Sequence, residues 1–427
     1  MSTPKKPLGL TTLTGLVIAN MVGAGVFVTS GFALADLGSS QRVMLAWLCG
    51  GVIALCGALS YGGLVKRLTQ SGGEYLFLAR VFHPLVGFIA GWVSLLAGFT
   101  GAIAFAALTA ESYLPEQFSH LPQGLPACAL VVFAALIHGI RIRSGALSQN
   151  ISVLLKLCLI VLFVGYAFFF SANAAPTLPS PAAMPFSLSA FAGSLVWISL
   201  SFSGFNAAVY VAGEADQAKR NVPRSLWMGT ALVTFIYLAL NWVFVGLAPF
   251  EKVVGREDVA AAAALALGGA PLAALARTLI LLALITSVLS MMMAGPRVYA
   301  RMADDGLFPK VLRFSGEVPR VAIAVQALFA MAVIFFSDLK QLLSFLGFTL
   351  SLCSALAVSA LFLLRFREGR AAIPVIGYPL TPIVYVTATL VFATLSAQRD
   401  PWQLAAALVT VLTGCIAYAV LNRFKQQ

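Results

Sequence analysis

The chain has 427 residues, 60% hydrophobic and 10% charged, with a mean hydropathy of +0.95. That balance excludes a water-soluble globular protein and points to a polytopic membrane protein. The net charge of +12 would suggest a nucleic-acid partner in a soluble chain, but here it reads as a topology signal, and none is expected.

The predicted fold is an all-α polytopic membrane protein, one membrane domain over residues 1–427. Its 12 transmembrane helices are predicted near 13–35, 43–65, 81–110, 125–139, 151–171, 189–213, 225–248, 272–295, 321–337, 340–365, 379–397 and 402–422. The first apolar segment is too long for a signal peptide and lacks a small-residue cleavage site.

The first span is interrupted. Asn20 and Met21 lead into Val22-Gly23-Ala24-Gly25-Val26-Phe27 at mid-membrane depth. Each glycine weakens a helix by about 1 kcal/mol. A backbone group opened in hydrocarbon must be satisfied by protein, water or ligand. An unwound stretch at this depth therefore reads as a binding site. The third span is long enough to tilt, and its Gly87 and Gly91 suit close packing inside the bundle or a dimer face.

The fifth span carries Lys156 about a turn and a half from its start. An intramembrane cation is a functional candidate, yet a lysine at this depth also reaches the interface by snorkelling. The sixth span has a second interruption, Leu200-Ser201-Phe202-Ser203-Gly204-Phe205-Asn206. Serine and glycine there also serve helix packing, but the pairing with the first break favours a second discontinuity. Breaks in spans one and six predict a 5+5 inverted repeat, with discontinuous first and sixth helices. The first repeat would cover about 13–171, the second about 189–365, and spans eleven and twelve, about 379–422, would be accessory.

Most of the 27 Lys and Arg residues fall on the side that holds both termini, which the positive-inside rule makes cytoplasmic. The longest external loops are expected near Ala174–Pro185 and Pro249–Pro271. The six cysteines lie in predicted spans without metal spacing, and read as packing residues. No metal, cofactor or nucleotide-binding loop is expected. No Ser/His/Asp constellation appears, so the chain does not read as an enzyme. A channel is disfavoured because no span shows a ring of charge or a filter motif.

Four motifs resemble those of amino acid–polyamine–organocation (APC) transporters with a LeuT-type fold. They are Gly9-Leu10 with Asn20 to Phe27; Ser71-Gly72-Gly73-Glu74-Tyr75 running on to Trp92; Phe202 to Asn206 with Gly213-Glu214 and Arg220 to Arg224; and Arg297 to Pro309. The resemblance implies a secondary active amino acid transporter in the membrane, a bacterial inner membrane being expected. Its partners would be an amino acid, protons and membrane lipids. Proton-coupled uptake of neutral amino acids by alternating access is the expectation, with an exchanger, antiporter or exporter as the alternative. A polyamine or cationic substrate is disfavoured because the central stretches of spans three, six, eight and ten contain no acid. Nothing sets the oligomeric state.

A zwitterion needs donors for its carboxylate and acceptors for its ammonium, and broken helices offer both. The carboxylate is expected at Val22, Gly23, Ala24, Gly25 and Val26. The ammonium is expected at carbonyls of Ala19, Asn20, Leu200, Ser201 and Phe202, with Gly204 in the second break. The resemblance implies that Phe205 closes over the substrate as a gate, although a core phenylalanine is the alternative. It also implies that Lys156 couples to protons, or replaces a bound cation in an exchanger, beside Ser287 or Ser290.

Overall fold

The computed structural model describes residues 8–118, 120–139, 146–171, 185–304, 306–314, 318–369 and 374–425. Most of the Pro-rich stretch near Ala174–Pro185 lies outside them, as do the topology cations Lys5, Lys6, Arg141, Arg143 and Arg370. Among the described residues the chain is helical, with one isolated parallel bridge between Leu8 and Ala215.

The first predicted span is two helices, α1 (Leu10–Met21) and α2 (Ala24–Leu37), bent by 41° at the break. The Val22 N–H closes α1 on the Ile18 carbonyl at 2.9 Å. Gly38, left-handed at φ 61°, ends α2 by returning its N–H to Leu34, as helix C-termini commonly do. A long α3 (Ser40–Arg67) follows, then a short α4 (Gly73–Val81). Pro84, suited to a first helical turn, starts α5 (Pro84–Ser112), which widens to π geometry over Ser94–Gly101. Next come α6 (Leu125–Gly139), α7 (Ala146–Ser171) and α8 (Leu188–Phe202).

The sixth predicted span does not continue as an α-helix. After α8 it turns through Ser203–Asn206 and proceeds as a 3₁₀ segment, Ala207–Glu214. Then α9 (Ala218–Asn241) leads to α10 (Val259–Asp304). The external segment expected as a loop over Pro249–Pro271 is largely helical: Phe250–Val253 forms one turn, and α10 begins at Val259, before a break at Gly268 and Gly269. The run Ala260–Leu267 consists of strong helix formers, so helix prevails there although the segment is too short to span. The chain ends in α11 (Arg320–Phe336), α12 (Leu339–Glu368), α13 (Leu380–Arg399) and α14 (Pro401–Lys425).

Among the described residues eight helices are long and apolar enough to cross a membrane, and the bent α1–α2 pair makes a ninth. Three shorter apolar helices also occur: Leu125–Gly139, Val153–Phe169 and Arg320–Phe336. Large apolar side chains such as Phe235, Val161 and Ile416 stay exposed on outward faces, which water would not tolerate in such number but lipid does. The broken helices sit inside. α1 packs on α9, α2 on α8, and α8 against α3, α12 and α13. Gly91 packs on Met302 and Gly87 on Ala79, so this glycine pair serves intramolecular packing.

Candidate substrate site at the paired breaks

The two interruptions meet back to back. A Cβ on Gly25 would lie 2.8 Å from the Ser201 Cα, a distance real side chains do not adopt. Gly204 has φ +97°, and a Cβ there would lie 2.9 Å from the Asn20 carbonyl carbon. Glycine is therefore required at Gly25 by close approach and at Gly204 by both approach and conformation. Thr29 Oγ1 and Ser201 Oγ lie 3.4 Å apart across the contact. The Tyr237 hydroxyl, from α9, reaches both breaks: its oxygen is 2.5 Å from the Met21 carbonyl and 2.9 Å from the Ser201 carbonyl.

A cavity of about 270 Å³ opens beside this junction, toward the small end of ligand pockets. Of the expected substrate residues, Ala19, Asn20, Gly23, Ala24 and Gly25 line it from the first break. Leu200, Ser201, Gly204 and Phe205 line it from the second. Val22 and Val26 are buried in the core, and the Phe202 ring packs on Trp47 and Tyr237 at 6.0 and 5.1 Å. The Val22 amide is already bonded to Ile18. The amides that open α2, from Gly23 onward, have no carbonyl one turn earlier in their own helix. At the end of α1, the carbonyls of Ala19 and Asn20 receive no following amide among the described residues. The Leu200 and Phe202 carbonyls each accept one turn amide, from Ser203 and Phe205.

The Phe205 ring is buried and stands edge-on to Tyr61 at 5.3 Å and to Tyr385 at 6.0 Å. The remaining wall includes Gly98, Phe99 and Phe105 of α5, Ser287, Ser290 and Met291 of α10, and Leu350 and Ser351 of α12. Ser287 Oγ is buried without a partner among the described residues. Lys156 is only 5% exposed, so its ammonium lies inside the bundle and does not reach the surface by snorkelling. Among the described residues no carboxylate or carbonyl pairs with it.

Sequence reasoning missed two site residues. Glu74, in the second motif but outside any predicted span, lines the cavity and is 5% exposed. The absence of acids in the central stretches therefore does not make the cavity free of acid. Tyr237 was missed because a lone tyrosine in an apolar helix carries no pattern.

The sequence model of the amino acid permease family matches residues 8–419. The chain belongs to that family. It is 25% identical to the mouse large neutral amino acids transporter small subunit 2, over 97% of this chain and 80% of the relative. It is 26% identical to the Bacillus subtilis serine/threonine exchanger SteT, over 99% and 98% respectively. Human Asc-type amino acid transporter 1 is 23% identical, over 96% and 81%. The permease is an integral membrane protein and a transporter, not an enzyme.

At one end of this permease the segment before α10 closes over α2. Gly255 donates to the Gly31 carbonyl at 2.9 Å. The Tyr113 hydroxyl donates to Phe27 at 2.6 Å and accepts from Ala260 at 3.3 Å. Asp258 binds Arg256 through two contacts, at 2.8 and 3.1 Å, and lies 3.6 Å from Arg277. This carboxylate raises the Arg256 guanidinium above its ordinary value. Burial, then Asp338 and Asp258, push the Glu257 carboxyl up. Asp36, near the end of α2, pairs with Arg399 at 2.5 Å. Glu111, near the end of α5, accepts from the Gly124 and Ala127 amides at 2.8 and 3.1 Å; it caps α6.

Proposed function

We propose that this permease carries neutral amino acids across the membrane by alternating access, with the cavity at the paired breaks as the substrate site. The observation that carries the reading is the meeting, at one cavity wall, of α2 amides and Ala19 and Asn20 carbonyls that have no backbone partner among the described residues. The amides complement a carboxylate and sit at the positive end of a helix dipole. The carbonyls complement an ammonium. Apart from Glu74, whose carboxyl is engaged by Tyr61, Asn206 and Ser354, the rest of the wall is uncharged and mostly apolar or hydroxylic, which suits a neutral side chain.

The eight long helices, the broken pair and the three shorter apolar helices support a twelve-span reading. In it, α1 to α7 and α8 to α12 form the inverted repeats and α13 and α14 are accessory, with both termini in the cytoplasm and a bacterial inner membrane as the location. Phe205 would act as the gate, moving off Tyr61 and Tyr385 to cover substrate. Lys156, buried in the bundle, would couple transport to protons or stand in for a bound cation. Transport that stays fast and pH-responsive in Lys156→Ala would remove the proton role.

Exchange is the second reading, favoured by the relative whose printed activity is serine/threonine exchange. Reconstitution into liposomes separates the two. Uptake of labelled L-serine or L-leucine driven by a proton gradient into empty vesicles supports symport. Uptake only into vesicles preloaded with unlabelled amino acid supports exchange. No uptake of any of the twenty amino acids under either condition would overturn the reading.

A further inference from the structure

Glu74 is the one charged side chain type in a cavity wall that otherwise holds no Lys, Arg, His or Asp among the described residues. It is an unusual carboxyl in three respects. It is nearly fully buried, and no cation pairs with it among the described residues. Burying an ionised carboxylate without a counter-charge is costly. Its two oxygens are also unequally served. Oε1 accepts from Tyr61 Oη, from Asn206 Nδ2 at 3.0 Å and from Ser354 Oγ at 2.7 Å. Oε2 has only the Cys353 thiol at 3.3 Å, a weak donor. Three donors on Oε1 suit the charged form, and the weakly served Oε2 is the oxygen left open to a proton.

The donors come from three separate elements. Tyr61 is on α3, Asn206 closes the second break, and Cys353 and Ser354 are on α12. The titratable groups that face Glu74 are Tyr61, Tyr210, Cys353 and Tyr385, from α3, the 3₁₀ segment, α12 and α13. All are neutral in their protonated forms, so none supplies the missing positive charge.

We propose that Glu74 is a proton-binding site in the wall of the transport cavity, separate from Lys156, with Oε2 holding the proton and Oε1 anchored by the break. Loss of the proton leaves a charge that holds Tyr61, Asn206 and Ser354 more tightly, and so favours the arrangement seen here. Binding of a proton weakens that hold and frees Asn206 to move with the second break. The inference rests on the cavity being the substrate site, but the proton site is testable without substrate.

The test is infrared difference spectroscopy on the purified full chain during pH titration, alongside L-serine and L-leucine binding across the same acid-to-neutral range. The wild type is expected to show a protonated-carboxyl band that disappears with rising pH and is absent in Glu74→Gln. It is also expected to bind the amino acid with a pH-dependent affinity, by roughly five-fold or more for a coupled site. Glu74→Gln should flatten that dependence, and Lys156→Ala should leave the band in place. If Glu74→Gln does not fold, Tyr61→Phe serves instead: with one donor fewer to the charged form, the band should persist to higher pH. A band unchanged by both variants, or a carboxyl charged at every pH, overturns the proposal. A Glu74 band that titrates while no amino acid binds overturns the substrate reading and leaves the proton site standing.

Discussion

The two breaks look alike in the sequence and differ in chemistry. The first has only Val22 and Gly23 between two α-helices, and Gly23 is extended at φ −137° and ψ −155°. That conformation is open to most residues, and the following helix starts with unpaired amides. The second turns at Gly204 with φ +97° and spends its own amides: Ala207 bonds to Gly204 at 2.9 Å and Val209 to Asn206 at 2.9 Å. The 3₁₀ pattern satisfies donors that an α-helix start would leave open. One break is thus a source of donors, and the other is a surface against which the first is pressed. Glycine serves them differently as well. At Gly25 it permits contact with Ser201, while at Gly204 it permits the turn itself.

Substitutions at the contact should break this comparison most severely. Gly25→Ala is expected to abolish amino acid binding, because its methyl falls on the Ser201 backbone as well as its side chain. Ser201→Gly in the same chain should restore only part of it. Full recovery in a binding assay would mean that the backbones are not in contact. Gly204→Ala should cost about 1–3 kcal/mol from the backbone conformation alone, lowering both the melting temperature and transport rate. Tyr237→Phe should cost about 1–2 kcal/mol, since the Met21 and Ser201 carbonyls lose their shared donor. Unchanged melting and affinity would remove the tyrosine from the junction.

Gly23→Ala sharpens the contrast. A methyl there meets nothing closer than Ser287 Oγ at 3.8 Å, so the fold should be spared while substrate affinity falls. A smaller effect belongs to the closed end. The raised Glu257 carboxyl holds its proton more tightly in the folded state, so its contribution to stability is present in acid and is lost as pH rises through that raised value. Glu257→Gln should therefore raise thermal stability modestly at neutral pH and not at acid pH, in a melting series against pH.

Both breaks were legible because glycine and polar residues stand out in an apolar run, and their pairing pointed to the cavity that opens beside them. What followed each break was not. The 3₁₀ course of Ala207–Glu214 is set by its packing with α1 and α9, which local propensity does not encode. Glu74 was quoted within a motif but went unrecognised as a wall residue, since its burial depends on partners as distant in sequence as Ser354. Tyr237 depends on contacts 216 and 36 residues away. The helix at the start of α10 was hidden for a different reason: an apolar run too short to span the membrane, between Pro249 and Pro271, reads as a loop, although its alanines are good helix formers.

The bridge between Leu8 and the residues after the second break has a mechanical consequence. Leu8 donates to Glu214 and accepts from Asp216, both at 2.9 Å, so the start of α1 is stapled to the end of the 3₁₀ segment. Tyr237 fastens the end of α1 to the end of α8, at Met21 and Ser201. Held at two levels, the paired half-helices form one lever rather than two leaves of a door. On the proposed alternating-access reading, access to the cavity would change by tilting this lever against α5 and α10, with the paired breaks carried intact through the stroke.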